Sequence, residues 1–424
     1  MPDGSNIQQP ETTQETPDPK HFIRFNVEPS DSHTEAAAEA FRADNGIRAN
    51  HGSRRAVWAF LAACKALSRR SIKTFAWPTS KQPGSYNYQA KKTVRDTLIS
   101  EGFFRQVGQK GNAISGRCTV YELDRLPDIE GLRFQEIPPE RHELVKVRDL
   151  KPSHETKNLF YEPTGKMLTL DECYRDLGMD RFDRQLDIME DLNGFLFDHP
   201  LVLNGDTYNH LVRKFNNRSL CHGGRLYGGY SAQKKEYRKT ATIDGEPIVQ
   251  LDVKASFLFI RGALGGVDLG EAIGSDPYEL LPFFDADDRM ARSFFKELVS
   301  AMITCGGTKT MIPDDMMGKP QYEHITQGKK KNVFQSGILE SFPFLADSVE
   351  GLHVMYLESE AMVKTLFLAI DNDIPAWPLH DCIFVRRSDL TERIELIKTG
   401  FQEEFGFRPT ISVDLLDGTP ESMT

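Results

Sequence analysis

No apolar run in the sequence approaches the roughly 18 residues that a membrane-spanning helix needs, and no basic segment followed by an apolar one opens the chain. A transmembrane anchor and a secretory signal are therefore not expected. The six cysteines, Cys64, Cys118, Cys173, Cys221, Cys305 and Cys382, are scattered with no Cys-x-x-Cys among them. That spacing excludes a zinc ribbon and gives no disulfide framework, so a reducing cytoplasm is the expected compartment, with no membrane partner. Positive charge is also short overall, with 52 Lys and Arg against 62 Asp and Glu and a net charge of −10. What remains is a chain of 424 residues, 39% hydrophobic and 27% charged, long enough for two or three domains with real cores.

The net charge hides two basic islands. From Ser53 to Cys118 thirteen basic residues face only Asp96 and Glu101, a local +11, and from Thr207 to Thr240 eight basic residues face Glu236 alone. Such islands suggest phosphate-backbone contacts, with a solvated basic face that holds no ligand as the alternative. Residues 1–50 read as a disordered acidic leader, in which 35–49 is helix-compatible but too polar to hold itself together. Residues 51–125 change character. An apolar helix around Ala56–Leu67 and a second helix over 86–104, with Ala90, Val94, Leu98 and Ile99 on one stripe, precede two β-like runs that flank a Gly/Lys/Asn loop at 108–115. Helix, helix and hairpin resemble a winged helix-turn-helix, which would place Lys91, Lys92, Arg95 and Lys110 against DNA.

Residues 126–157, punctuated by Pro127, Pro138, Pro139 and Pro152, read as a linker, and 158–212 as a small helical subdomain. Between Phe215 and Tyr230 four glycines stand among arginines and aromatics. This is either a loop through which backbone approaches a ligand or a plain β-turn. A charged hairpin is expected over 238–244. Ile248–Arg261 then reads as a buried strand that ends on Asp252 and runs into an apolar segment, while Ile374–Val385 carries His380 and Asp381 at the tip of another strand. Either aspartate alone is compatible with a turn or cap, and two on strand ends are the minimum for a two-metal phosphoryl-transfer site. Arg292 and Lys296, four apart, share one helix face, either as an exposed pair or as a grip on neighbouring phosphates. Lys319–Asn332, with three consecutive lysines, reads as a flexible basic loop.

The order of these parts resembles polymerase family A, the DNA polymerase I and single-subunit RNA polymerase group. Gly224-Arg225-Leu226 is similar to its Thr-Gly-Arg-Leu stretch, Leu251-Asp252 to motif A, Asp276-Pro277-Tyr278 to the segment after it, Arg292 and Lys296 to the fingers helix, and Leu379-His380-Asp381 to motif C. The resemblance implies an α+β fold, with a right-hand palm of antiparallel sheet and reduced helical fingers over 213–424 and a thumb-like role for 158–212. It implies two Mg²⁺ ions, with Mn²⁺ as a substitute, on Asp252, Asp381 and the Val253 carbonyl. Nucleoside triphosphate would lie against Arg292, Lys296, Lys254 and Phe257, and primer-template against Arg218, Gly224, Arg225, Lys234, Lys235 and His380. Phe257, five residues after Asp252, stands where the DNA enzymes place a bulky group under the sugar. Cys382 stands where they carry a glutamate, leaving two carboxylates unless Glu358 or Glu360 helps. A thiol leading into a buried strand is inert rather than nucleophilic. The implied activity is DNA-directed DNA polymerase of compact phage or mobile-element type. The alternatives are a single-subunit RNA polymerase or primase, and a non-catalytic DNA-binding initiator or regulator with a degenerate palm.

Overall fold

The computed structural model describes residues 27–69, 73–77, 88–107, 119–149, 166–233, 235–267, 269, 276–282, 284, 288–304, 319–417 and 422–423. They form an α+β protein of two compact units, Met1–Pro138 with Gly205–Thr207 and Pro139–Asn204 with Tyr208–Thr424.

In the first unit, helices Ser32–Asp44, His51–Arg69 and Tyr88–Ser100 accompany a three-stranded antiparallel sheet in the order Thr74–Ala76, Val120–Leu123, Phe104–Val107. The second helix buries Ala56, Val57, Phe60, Leu61, Cys64 and Leu67, an i, i+3, i+4 stripe, against Phe75, Trp77 and Phe104 of the sheet. The first helix differs from expectation: it is well formed because Asp31 caps it, accepting the Thr34 N–H at 2.7 Å, and because Ala38 is buried against the core. The linker expectation for 126–157 also changes. Phe134–Glu136 and Val145–Asp149 are strands, and the prolines stand outside them. The loop at 108–115, with Lys110, lies outside the described residues.

Two sheets organise the second unit. One runs Leu201–Leu203, Thr242–Ile243, Glu246–Val253, Cys382–Arg386, Ala376–Leu379, all antiparallel, and Ile411–Asp414 also pairs with the far half of Glu246–Val253. The other runs Ser219–Tyr227, Val212–Asn216, Val145–Asp149, Lys166–Met167. The segment from Phe215 to Tyr230 holds a tight turn at Asn217-Arg218, both at positive φ, but Gly223 and Gly224 stand in the bulged strand after it, with φ of +84° and +69°. The expected hairpin shifts downstream to Asp244-Gly245, both at positive φ, as a two-residue primed turn requires. Helices Met179–Asp198, Ser256–Leu264, Arg289–Thr304, Gly351–Ile370 and Leu390–Phe405 supply the remaining core. The supposed basic loop after Lys319 is largely structured. Glu323–Thr326 and Lys331–Ser341 are helices, and Lys319 Nζ donates to Glu297 at 2.7 Å. Among the described residues no helix is long and apolar enough to cross a membrane.

His210 is 5% exposed, and burial, with a smaller push from Lys146, lowers its pKa from 6.5 to about 4. A base whose folded pKa is depressed stabilises the fold while neutral. The unfolded chain begins to bind the proton as pH falls through 6.5, and the native state resists until about 4. The unfolding free energy should therefore drop by about 3 kcal/mol across that window, and His210→Gln should flatten the slope in denaturant titrations at stepped pH.

Candidate active site

The apolar run Ile248-Val249 and the alternation after it make Glu246–Val253 a central strand, with Val249, Leu251 and Val253 buried on one side and Gln250 and Asp252 turned to the other. Asp252 lies directly across from Cys382 on one side and Ser412 on the other. Immediately beyond, Ala255 takes a left-handed φ of +48° and redirects the chain into the Ser256–Leu264 helix. The second aspartate arrives by a tight hairpin. Leu379 pairs with Cys382, leaving His380 and Asp381 as the two-residue loop, with His380 at φ +59°. Val253, expected to offer its carbonyl, donates its N–H to the Asp381 carbonyl oxygen at 3.2 Å and so ties the two aspartate-bearing segments together.

The result is a cluster in which Asp252, Asp381 and Cys382 each offer a ligand atom within 4.8 Å of the others. The Cys382 thiol donates to Asp252 Oδ1 at 3.1 Å and lies 4.0 Å from Asp381 Oδ1. Burial, and then the negative Asp381, push the Asp252 carboxyl above its ordinary value, against the Cys382 hydrogen bond and the cations Lys254 and Lys296. Lys254 Nζ stands 3.9 Å from Asp252 Oδ2. Burial and both aspartates drive the Cys382 thiol strongly upward, which rules out a resting thiolate nucleophile. Two crowded carboxylates with a thiol beside them fit a divalent cation, because a bound cation neutralises the charge that makes their ionisation costly.

Next to this cluster lies a cleft of about 160 Å³ lined by Arg225, Ala255, Ser256, Phe257, Tyr278, Lys296, Ser300, Ile303, Glu358 and Asp381. Asp381, Phe257, Lys296 and Arg225 thus meet in one place from four separate parts of the chain. Arg225 reaches it from the bulged strand, its guanidinium 5.5 Å from the Phe257 ring and paired with Glu358 through Nε at 3.1 Å. Glu358 also accepts the Ser256 hydroxyl and is 1% exposed; burial raises its carboxyl, opposed by Arg225. Sequence reasoning gave Glu358 only an auxiliary place. The signal was an acid on the buried stripe Val354, Glu358, Ala361, Thr365 of a helix.

Other expected contacts do not converge there. Arg292 is held by Asp276 at 2.5 Å with its guanidinium 5.5 Å from the Tyr278 ring, and it is not among the cleft's lining residues. Arg218 is clamped between Asp149 and Asp176. The Gly224 carbonyl accepts from the buried Arg213 at 2.8 Å, and His380 packs edge-on against Tyr227. Of the Lys234 and Lys235 pair the side chains lie outside the described residues. In the first unit, Lys92 is exposed, Lys91 is half-buried with its pKa lowered by burial and by Arg55, and Arg95 pairs with Asp96 at 2.6 Å. The basic islands are correspondingly less free than their sequence count. Arg54 pairs with Glu39, Lys65 with Asp206, Arg105 with Glu122 and Asp124, and Arg213 with Glu360.

No protein-family model matches the chain, and no curated protein sequence does. Among solved structures it is similar to the polymerase domain of Pol1 from M. smegmatis, solved in complex with DNA primer-template and dNTP, at 10% identity and a TM-score of 0.33. The similarity covers 91% of this chain and spans 65% of the length of that domain.

Because Glu358 is sealed from water, its ion pair is costly to break. Arg225→Ala should destabilise the second unit by about 3–5 kcal/mol, and adding Glu358→Gln should restore a large part of that, measured by urea denaturation. A single variant that unfolds like the parent would overturn the pairing.

Proposed function

We propose that the chain is a template-directed nucleotidyltransferase, a DNA polymerase that extends a primer. The observation that carries this reading is the convergence of Asp252 and Asp381 at one edge of a cleft that also holds Lys296 and Phe257. Two divalent cations between the aspartates would activate a 3′-hydroxyl and neutralise the leaving pyrophosphate. Lys296, exposed on its helix and close enough to lower the Asp252 carboxyl, addresses the triphosphate. Arg292, bound to Asp276, takes no part unless that pair opens. Phe257 forms the wall that meets the sugar and disfavours a 2′-hydroxyl, and this favours deoxynucleotides over the ribonucleotide alternative. The Arg225 and Glu358 pair holds the opposite wall in register rather than gripping the template directly. The cleft is smaller than the roughly 300 Å³ at which small-ligand pockets begin, so a bound nucleotide extends into the open groove or displaces the Lys296 helix.

The first unit, in this reading, is a winged helix that docks the enzyme on duplex DNA. Support comes from the order of its sheet, first strand, third, second, and from Lys91, Lys92 and Arg95 on the helix between them.

Primer extension with Mg²⁺ or Mn²⁺ tests the assignment. Asp252→Ala and Asp381→Ala should each lower the extension rate on the order of a thousandfold, with circular dichroism unchanged. Synthesis at parental rate in either variant would remove the active-site assignment.

Phe257→Ala should narrow the preference for deoxynucleotides by about 10- to 100-fold, measured as the ratio of kcat/KM for dNTP and rNTP. An unchanged ratio would show that Phe257 does not face the sugar.

A further inference from the structure

The sulfur of Cys382 shares its surroundings with the two carboxylates so closely that the metal site is not an all-oxygen one. We propose that Cys382 supplies a third, thiolate ligand, and that this site takes a thiophilic divalent cation of the zinc and cadmium type more tightly than it takes Mg²⁺. The inference deepens the polymerase reading, since it concerns the same aspartates, and rests on it only for what the ion is used for.

Three observations carry it. Cys382 Sγ and Asp252 Oδ1 are 3.1 Å apart, joined by the thiol proton. Metal–sulfur bonds of about 2.3 Å and metal–oxygen bonds of about 2.0–2.2 Å put two ligands of one cation about 3.0–3.6 Å apart, so the pair is already at ligand spacing. A cation entering there takes the place of the S–H proton, which leaves to solvent, and the sulfur lone pair freed forms the bond. Next, the sulfur is oriented. The Gln250 side-chain amide donates to it at 3.4 Å from the neighbouring position on the same sheet face, while the register of Asp252 against Cys382 fixes both backbones. Finally, the buried carboxylate that lines the adjoining cleft is otherwise committed: Glu358 is held by Arg225 and Ser256, so it is not free to replace the sulfur with a hard oxygen. Mg²⁺ demands octahedral oxygen and shuns sulfur, whereas a thiolate with carboxylates suits zinc and its softer relatives.

The test uses the full chain, freed of metal, and two readouts that do not depend on synthesis. Titration with cadmium chloride should develop the ultraviolet thiolate-to-cadmium charge-transfer band, and calorimetry should rank Zn²⁺ above Mg²⁺. Cys382→Ser should remove the band and weaken Cd²⁺ and Zn²⁺ binding by about tenfold or more. Cys382→Asp should invert the order, losing Cd²⁺ and gaining Mg²⁺, which also guards against a serine variant that merely folds poorly. Cys221→Ser, at the half-buried cysteine away from the cluster, should leave the band in place. A band of equal size in the parent and in Cys382→Ser, or one that persists in Asp252→Ala, would overturn the inference. Primer extension separates the two proposals. A chain that binds cadmium through Cys382 and Asp252 but extends no primer with any ion keeps this site and loses the polymerase. One that extends primers with Mg²⁺ while its cadmium binding ignores Cys382 does the reverse.

Discussion

Everything at the candidate site depends on one strand register. Asp252 faces Cys382 across an antiparallel pair, and the hairpin that delivers Cys382 has Asp381 at its tip. Side chains alternate along a strand, so a slip of one residue would send Asp252 to the apolar side and bring Leu251 or Val253 out in its place. The register is held from both sides. The Val253 N–H bonds to the Asp381 carbonyl, Ile411–Asp414 pairs along the opposite edge, and Val249, Leu251, Ile383 and Val385 are all buried. That apolar face supplies the energy that forces two carboxylates together. Burial first, and the neighbouring Asp381 second, raise the Asp252 carboxyl, a cost that a bound cation would relieve.

A second constraint sets the far wall. The Gly351–Ile370 helix packs along the strand that carries Arg225, and the contact is closed by two buried arginine systems. Arg225 bonds Glu358, while Arg213 bonds Glu360, Gln185 and the Gly224 carbonyl. Buried ion pairs contribute little net stability beside well-packed apolar groups, yet they tolerate only one geometry. Here they fix how the cleft-lining edge of the helix meets the strand, and so where Glu358 and Ser256 stand relative to Asp381.

Parts of this were legible in the sequence for simple reasons. Ile248-Val249-Gln250-Leu251-Asp252 alternates after an apolar start, so the strand could be read locally, whereas the hairpin expected over 238–244 lay at Asp244-Gly245, a two-residue turn signal that went unused. The four-residue spacing of Arg292 and Lys296 suited the helix Arg289–Thr304 but did not tell that Asp276 holds Arg292 while Lys296 lines the cleft. The misreadings have physical causes as well. Gly223 and Gly224 read as a ligand loop or a plain turn because glycine signals positive φ without saying what for, and here a strand bulge uses it. The segment at 35–49, helix-compatible in sequence, looked too polar to hold itself together because capping by Asp31 and packing of Ala38 are gains that composition does not register.

Charge was the least legible property. A run of arginines reads as a phosphate-binding surface only if its partners are absent, and partners come from anywhere in the chain. Glu39 neutralises Arg54, Asp149 and Asp176 take Arg218, and Glu358 and Glu360 take Arg225 and Arg213. In a chain with a net charge of −10 most of the acids that answer the islands lie outside them in sequence and against them in space, Asp96 beside Arg95 being an exception. The cations that escape pairing then matter more than the count. Lys296 is exposed where it lines the cleft and partly offsets the Asp252 carboxyl, and in the proposed reading that asymmetry would give the cleft a direction for an anionic ligand. In the proposed reading, phosphate would be drawn toward the lysine and away from the carboxylates, and a cation held by the carboxylates would share with the lysine the charge of one polyanion.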